Sequence, residues 1–340
     1  MNNKINYKFK KNPNLKYRLD ITNDNLCLGV NDTFEVFLAY KDNKEYLISP
    51  NNYYNLDVFI LADNKKALSL KGHQTYIETI RYFINNKNFN EYLISGDKSI
   101  IIIWDISDNY NIKYQIDTKY NYKISSCLII FPYYTSDNFI VTSTEKESNF
   151  IYKSASKIYS LNSGNYIRYI SNTDNVPIYH LLSWYNKKSN KYYIIQFSIE
   201  KIIINNLLED ELYSELKTFP KIKYFHGFIY NENSNDYLCT STSVEFILIW
   251  DLFNKKIFKI INTNKCIINH IIQWNDKYII VVDLFSQLIK IIDLGINNII
   301  SSLGKNHERL VLSVKKIYHP IYGESLLSSS LDRTIKLWTI

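Results

Sequence analysis

Residues 301–340 read SSLGKNHERLVLSVKKIYHPIYGESLLSSSLDRTIKLWTI, and the rest of the chain is best compared with this stretch. It contains Gly304-Lys-Asn-His307, then three short runs rich in apolar and β-branched residues: Val311–Ile317, Ser325–Asp332 and Arg333–Trp338. Polar turn residues separate the runs. Short apolar runs between polar turns are typical of β-strands, so the stretch predicts three consecutive strands that follow a histidine.

Segments similar to the last of these strands recur along the chain. Their ends can be placed at Ile60, Trp104, Tyr159, Asn205, Trp250, Ile292 and Trp338. The steps between successive ends are 44, 55, 46, 45, 42 and 46 residues, and the one long step requires an insertion, placed at Glu145–Lys153. Self-similarity at a fixed period indicates a repeat architecture, in which each repeat is one small supersecondary unit. Seven such units fit the 340 residues of the chain.

In two of the repeats, the third strand ends in an explicit Trp-Asp pair. These are Trp104-Asp105 in repeat two, which also carries Gly72-His73 before its first strand, and Trp250-Asp251 in repeat five. With these motifs and a period of about 40–45 residues with four strands per unit, the chain resembles the WD40-repeat family from about residue 25 to residue 340. The resemblance is most specific in repeats two, five and seven. It implies an all-β fold, a seven-bladed WD40 β-propeller.

The resemblance also implies a buried relay of hydrogen bonds within a blade. In the family, this relay joins a His before the first strand, a Ser or Thr in the second strand, an Asp in the following turn and the Trp of the third strand. Repeat seven then supplies His307, Ser328, Asp332 and Trp338, and repeat two supplies His73, Ser95 and Trp104. Asp97 stands seven residues before Trp104 instead of six, so its part in the relay is left open. A buried N–H without an acceptor costs about 1–3 kcal/mol, which favours a structural role for both histidines.

The last repeat contains only three strands of its own, so its blade needs a fourth strand from elsewhere. Closing the ring removes exposed sheet edges, and an N-terminal strand is therefore expected to close the last blade. Asn25–Gly29 is favoured, because its distance from repeat one matches that of Leu68–Leu70 from repeat two, and Leu15–Ile21 is the alternative. Residues 1–14 are expected to form a flexible basic arm, and residues 15–340 a single propeller domain.

Composition and cysteine spacing argue against several classes of protein. The net charge of +7 is scattered along the chain and only mildly favours acidic partners. Cys27, Cys127, Cys239 and Cys266 lack metal-ligand spacing and lie in or beside apolar runs, which predicts buried reduced thiols. We expect no metal and no cofactor. No apolar run approaches the roughly 18 residues of a membrane span, and the first residues lack a signal-peptide core, so a cytoplasmic or nuclear protein is expected.

No catalytic constellation emerges from the sequence. The chain contains no G-x-S-x-G, no H-E-x-x-H and no glycine-rich phosphate loop, and we expect a protein that is not an enzyme. The remaining histidines, His180, His226, His270 and His319, lie at strand positions without ligand-like spacing. That placement favours structural roles over metal binding.

Proteins of the WD40 family usually bind partners on the face made by the loops before first strands and between second and third strands. Here the first set of loops is rich in lysine. The candidate partner-binding residues are Lys119, Tyr122, Lys123, Lys221, Lys223, Lys265, Lys305 and Arg309. Tyr76, Tyr120 and Tyr224 are also placed among these loops, and Tyr and Arg anchor many interfaces.

The resemblance implies a non-catalytic scaffold in a multiprotein complex, with other proteins, including proteins with acidic surfaces, as partners. Two alternatives remain open. The basic loops and their tyrosines would suit RNA or another nucleic acid. A propeller hydrolase with its site in the central channel is the other alternative.

Overall fold

The computed structural model describes residues 14–20, 35–39, 44–51, 54–62, 65–85, 88–118, 124–133, 135–144, 156–170, 178–209, 211–217, 222–303, 307–319, 321–332 and 334–339. All regular structure in these ranges is β-strand and forms seven four-stranded antiparallel sheets. The sheets are the blades of a ring, which confirms the predicted seven-bladed β-propeller. No helix in these ranges is long and apolar enough to cross a membrane.

The first strand of the chain is β1 (Asn14–Asp20), and each of blades one to six is then built from four consecutive strands. Blade one contains β2 (Glu35–Ala39), β3 (Lys44–Pro50), β4 (Leu56–Ile60) and β5 (Lys65–Leu70). Blade two contains β6 (Thr79–Ile84), β7 (Glu91–Gly96), β8 (Ile100–Asp105) and β9 (Asn111–Asp117). Blade three contains β10 (Ile124–Ile130), β11 (Phe139–Thr144), β12 (Ser156–Ser160) and β13 (Tyr166–Ile170). The insertion predicted at Glu145–Lys153 lies outside the described residues.

The second half of the chain continues the same order. Blade four contains β14 (Ile178–Asn186), β15 (Lys191–Ser198), β16 (Ile202–Asn206) and β17 (Leu212–Leu216). Blade five contains β18 (Tyr224–Glu232), β19 (Asn235–Thr242), β20 (Phe246–Asp251) and β21 (Lys256–Asn262). Blade six contains β22 (Ile268–Gln273), β23 (Tyr278–Asp283), β24 (Ile289–Asp293) and β25 (Asn298–Leu303). Blade seven contains β26 (Val311–His319), β27 (Gly323–Ser330) and β28 (Thr334–Thr339), together with β1.

Apolar clusters lie between neighbouring blades, with one cluster at each of the seven junctions in the described part of the chain. Between blades one and two, Val58 packs in one cluster with Ile80 and Trp104. Between blades seven and one, Leu47 packs in one cluster with Leu337, so the ring is closed by apolar packing as well as by strand pairing. Burying one such side chain contributes about 1.5–3 kcal/mol. The second strands of blades two, four, five, six and seven are buried along almost their whole length because a neighbouring blade covers each face.

The closing strand is β1, which pairs antiparallel with β28 from Asn14 opposite Thr339 to Asp20 opposite Thr334. The expected N-terminal closure is therefore confirmed, but the preference for Asn25–Gly29 was wrong, and the alternative at Leu15–Ile21 was right to within a residue. Because β28 lies between β27 and β1, no edge of it is left for another strand. Residues 25–29 lie outside the described residues.

Because the strands of each blade run antiparallel, successive connections lie alternately on two faces of the ring. We call one the upper face. In the described ranges it consists of the segments before first strands and the turns between second and third strands, at 51, 54–55, 71–78, 97–99, 118, 199–201, 217, 222–223, 243–245, 263–267, 284–288, 307–310 and 331–332. The lower face carries the other turns, which include 187–190, 252–255, 274–277 and 294–297.

Candidate functional site

Blade seven contains a connected network of buried hydrogen bonds below the upper face. His307 Nδ1 lies 2.8 Å from Asp332 Oδ2, and His307 Nε2 lies 2.7 Å from Ser328 Oγ. The Trp338 indole donates to the same Ser328 oxygen over 2.8 Å. An indole N–H can only donate and a carboxylate can only accept. His307 therefore donates to Asp332 from Nδ1, and Ser328 Oγ bonds both His307 Nε2 and the indole, which leaves every member of the network paired.

Blade two repeats this arrangement. His73 lies 3.0 Å from Asp97 Oδ2 through Nδ1 and 2.7 Å from Ser95 Oγ through Nε2, and the Trp104 indole donates to Ser95 over 2.9 Å. The question left open for Asp97 is thus answered: it occupies the same place as Asp332 despite the longer spacing. Its other oxygen accepts hydrogen bonds from the backbone N–H groups of Ser99 and Ile100. The turn therefore accommodates the one additional residue between Asp97 and Trp104.

Both carboxyl groups are held in the ionised form. Burial alone would raise the pKa of Asp332, but hydrogen bonds from His307 and Thr334 outweigh burial and hold this pKa well below its ordinary value. Asp97 behaves in the same way, because its bonds to His73 and to the backbone outweigh burial and lower its pKa. An ionised acceptor strengthens each bond that it receives. The His–Asp bond in each blade therefore fixes the segment before the first strand to the turn between the second and third strands.

The structure describes three of the predicted partner-binding residues. Lys223, Lys265 and Arg309 are exposed on the upper face. The other five lie outside the described residues: Lys119, Tyr122, Lys123, Lys221 and Lys305. Further exposed charges on the same face are Lys71, Lys98, Glu200, Glu245 and Glu308. The described part of the face thus mixes both signs of charge with an excess of basic groups.

The predicted role of the loop tyrosines needs correction. Tyr224 was placed among the loops, but it is the first residue of β18 and is 0% exposed within the core between blades four and five. It cannot contact a partner without unfolding. Tyr76 is partly buried and packs edge-on against Tyr54, with ring centroids 5.1 Å apart. Tyr120 and Tyr122 lie outside the described residues.

An exposed aromatic residue that the sequence analysis did not single out lies on the upper face. Phe285, in the turn between the second and third strands of blade six, is 70% exposed. Its backbone N–H donates to Asp283 Oδ1 over 3.2 Å, and Ser286 Oγ donates to Asp283 Oδ2 over 2.5 Å. Lys290 also binds Asp283 over 2.8 Å. Asp283 therefore holds the turn in one conformation with the phenyl ring in solvent.

The sequence analysis also missed a grouping of histidines in the central channel. His180, His226 and His270 come from three successive first strands and lie ring against ring. A signal was present in the sequence, because the three are separated by 46 and 44 residues, close to the length of one repeat. Residues one repeat apart occupy equivalent places on neighbouring blades. The fourth residue, His319, lies elsewhere and stacks on Tyr322 with centroids 4.7 Å apart.

Metal ligation and thiol chemistry gain no support from the described residues. No group of three or more His, Cys, Asp or Glu side chains among them is arranged to hold a metal ion. Cys127, Cys239 and Cys266 are free and buried, and burial raises the pKa of the Cys239 thiol. A buried thiol with a raised pKa is a poor nucleophile. Cys27 lies outside the described residues.

A scan against protein-family models finds no match for this chain, and a search among curated proteins finds none either. The proposed function therefore rests on the blade geometry and the side-chain networks.

Proposed function

We propose that this chain is a WD40-type propeller that serves as a non-catalytic scaffold and binds other proteins through its upper face. Two features support the WD40 assignment: the Trp-Asp ends of blades two and five, and the His–Asp–Ser–Trp networks of blades two and seven. The proposed partners are proteins with acidic surfaces in the cytoplasm or nucleus.

The observation that carries this proposal is the pair of buried His–Asp bonds, His73 with Asp97 and His307 with Asp332. Each bond ties two different upper-face segments together, so these segments are ordered before any partner arrives. Ordering side chains and loops at an interface opposes binding, and a surface that is already ordered avoids much of that cost. Arg309 lies only two residues after His307, so the bond between His307 and Asp332 also restricts the position of Arg309.

Basic charge on the upper face suits an acidic partner, and the aromatic residues there favour a protein over RNA. The excess of exposed Lys and Arg on the described upper face complements an acidic surface and would speed its association. Phe285 supplies a large exposed ring on a fixed turn, which is the type of residue that anchors protein interfaces. Base stacking would require several exposed aromatic rings, but Tyr224 is buried and Tyr76 is paired with Tyr54.

Charge reversal at the upper face tests the proposal. The variant Lys223→Glu/Lys265→Glu/Arg309→Glu is compared with Lys65→Glu/Lys187→Glu/Lys256→Glu, which makes the same change of charge at exposed positions on the lower side. Partners captured from the cells of origin are quantified by mass spectrometry, and the captured binding is repeated at increasing salt. We expect the first variant to lose its partners, the second to keep them, and both to unfold at the temperature of the unmodified protein.

Identical capture by the two variants would reject the upper face as the interface. Binding that survives treatment with protease-free nuclease indicates a direct protein partner, and binding that is lost indicates that RNA bridges the two proteins. Turnover in a broad screen of hydrolase substrates would contradict the non-catalytic part of the proposal.

A further inference from the structure

The central channel contains a cavity of about 290 Å³ lined by the first strands of blades two, four, five, six and seven. Five of the lining residues carry nitrogen groups: Arg81 on β6, His180 on β14, His226 on β18, His270 on β22 and Lys315 on β26. The rest of the described lining is apolar or aromatic apart from Gly227, and it contains no carboxylate. A cavity with several nitrogen donors and no acidic group in its described wall selects for a ligand with acceptor oxygens.

The three histidines form a continuous stack along one side of this cavity. The ring centroids of His180 and His226 are 4.1 Å apart, and those of His226 and His270 are 3.9 Å apart. Each histidine is the third residue of its strand: Ile178-Tyr-His180, Tyr224-Phe-His226 and Ile268-Asn-His270. Equivalent positions on neighbouring blades are thus occupied by the same side chain, which brings the three rings to the channel wall together.

Hydrogen-bond directions show which ring nitrogens are available. Arg81 Nη2 lies 3.1 Å from His180 Nδ1, and because a guanidinium can only donate, Nδ1 is the acceptor. A neutral His180 therefore carries its proton on Nε2. This nitrogen makes no hydrogen bond of good geometry within the described residues, where its weak backbone partner is Gly227. His270 Nδ1 is without a partner there. His226 differs, since its Nδ1 donates to the Ile271 carbonyl over 3.0 Å.

Both nitrogens belong to almost fully buried rings. The exposed fraction is 1% for His180 and 2% for His270. Leaving a buried polar nitrogen without a good hydrogen bond is unfavourable, and native structures rarely leave such groups unsatisfied without a reason. His180 Nε2 is a donor, and two such nitrogens in the wall of one cavity indicate that a polar ligand belongs there.

The electrostatic surroundings keep these rings neutral. Burial lowers the pKa of His180 well below its ordinary value, and the neighbouring His226 and Arg81 lower it further. The interaction with the Gly227 backbone acts to raise this pKa but is outweighed. Burial likewise lowers the pKa of His270, with His226, Lys315 and Arg81 acting in the same direction. At neutral pH His180 and His270 are therefore uncharged and each has a single N–H, while the positive potential around them comes from Arg81 and Lys315.

We propose that the channel is a binding site for a small anion of the phosphate class, held by His180, His270, Arg81 and Lys315. The donors approach from four different blades, and a tetrahedral phosphate presents oxygens in several directions, whereas a planar carboxylate does not. Its charge of nearly two also matches two cationic groups. The same chemistry is offered by free orthophosphate and by the monoester of a small metabolite. This site lies on the channel wall and is independent of the protein-binding role of the upper face.

Calorimetric titration of the full chain tests the site. Sodium phosphate, sodium sulfate, sodium acetate and glycerol 3-phosphate are titrated at pH 7.5, each at the same ionic strength set with sodium chloride. We expect phosphate to bind with one site per chain, more tightly than sulfate, and acetate not to bind. Comparing orthophosphate with glycerol 3-phosphate then decides whether the cavity takes the free ion or the monoester.

Lys315→Met removes one charge and keeps the aliphatic stem, and Lys187→Met makes the same change at an exposed turn of the lower face. We expect Lys315→Met to weaken phosphate binding by more than about tenfold and Lys187→Met to change it less than about twofold. As a second readout that needs no variant, phosphate should slow exchange of the His180 Nε2 proton in nitrogen-15 NMR spectra. Absence of binding heat for phosphate, or equal affinity in the two variants, overturns the proposal.

Discussion

Leu15 on β1 pairs with Trp338 on β28, so strands from opposite ends of the chain lie side by side in blade seven. The same pairing covers the outer edge of the strand that carries the relay tryptophan. Ring closure and the blade-seven network therefore depend on each other, since opening the outer edge would expose the strand that holds Trp338.

Deleting residues 1–20, which removes β1, should lower the free energy of unfolding by about 3 kcal/mol or more, because a ladder of hydrogen bonds at about 1 kcal/mol each is lost. The freed edge of β28 should also promote aggregation. Deleting residues 1–13 leaves β1 intact and serves as the control, with little effect expected. Urea unfolding and light scattering check both outcomes. Equal stability of the two truncated chains would show that β1 contributes nothing to closure.

Asp332→Ala should lower the free energy of unfolding by about 1–3 kcal/mol, because His307, Ser328 and Trp338 lose the acceptor at the end of their network. Asp276→Ala, at an exposed turn of the lower face, is the matched control and should stay within about 0.5 kcal/mol. A double-mutant cycle with His307→Ala measures the coupling between the two partners. A coupling energy of zero would mean that the observed bond adds nothing to stability.

Stability should fall as the pH is lowered from 7.5 to 6.0. The folded pKa of His180 and of His270 lies well below 6.5, so in this window the unfolded chain binds protons that the folded chain does not. Each histidine then lowers the free energy of unfolding by about 1 kcal/mol or less over the window. His319, whose pKa burial also lowers, acts with the same sign.

Denaturant titration at several pH values checks this dependence, and the variant His180→Phe/His270→Phe should show a shallower slope. Acidic groups do not mask the effect. Asp97 and Asp332 have lowered pKa values and stay ionised throughout the window. Glu45, whose pKa burial raises to about 6, opposes the trend only at the acidic end of the window and below it. An unchanged slope in the double variant would contradict neutral rings in the channel.

Gly227→Ala should destabilise the protein by about 1–3 kcal/mol through overpacking. A Cβ at this position would lie 2.6 Å from the Cys239 carbonyl oxygen and 2.8 Å from Phe197 Cζ, and the carbonyl belongs to the paired strand β19. Gly295→Ala is the control, because the added carbon would meet only the Asp293 carboxylate, at 3.1 Å. Thermal unfolding distinguishes the two, and equal melting temperatures would show that β18 can move away from β19 at no cost.

Phe285→Ala should weaken partner binding by about 2 kcal/mol, as expected for an aromatic anchor at the centre of an interface, and should leave stability unchanged because the ring is exposed. Phe89→Ala removes an equally exposed ring, 64% accessible, from the lower face and is the matched control. Affinity for the captured partner is measured for both variants by surface plasmon resonance. A loss confined to Phe89→Ala would place the interface on the lower face.

The relay residues followed from the resemblance to the WD40-repeat family, and all of them lie within one repeat. His307, Ser328, Asp332 and Trp338 lie within 32 positions, and an indole, an imidazole, a hydroxyl and a carboxylate at those spacings can satisfy one another. Tyr224 was wrongly placed in a loop because it follows Lys223, which is a loop residue. It is instead the first residue of β18, and its side chain points inward. Side chains alternate along a strand, so neighbouring residues can differ completely in exposure.

The sequence by itself determined the seven-fold repeat and the order of strands within each repeat, because both depend on spacings within about one repeat length. The tertiary structure alone decided that residues 14–20 close the ring, since a strand with two free edges has no partner until the last blade meets the first. It also decided that His180, His226 and His270 form one stack. Residues a full repeat apart touch only when neighbouring blades are arranged around a common channel, and that arrangement follows from apolar packing between blades.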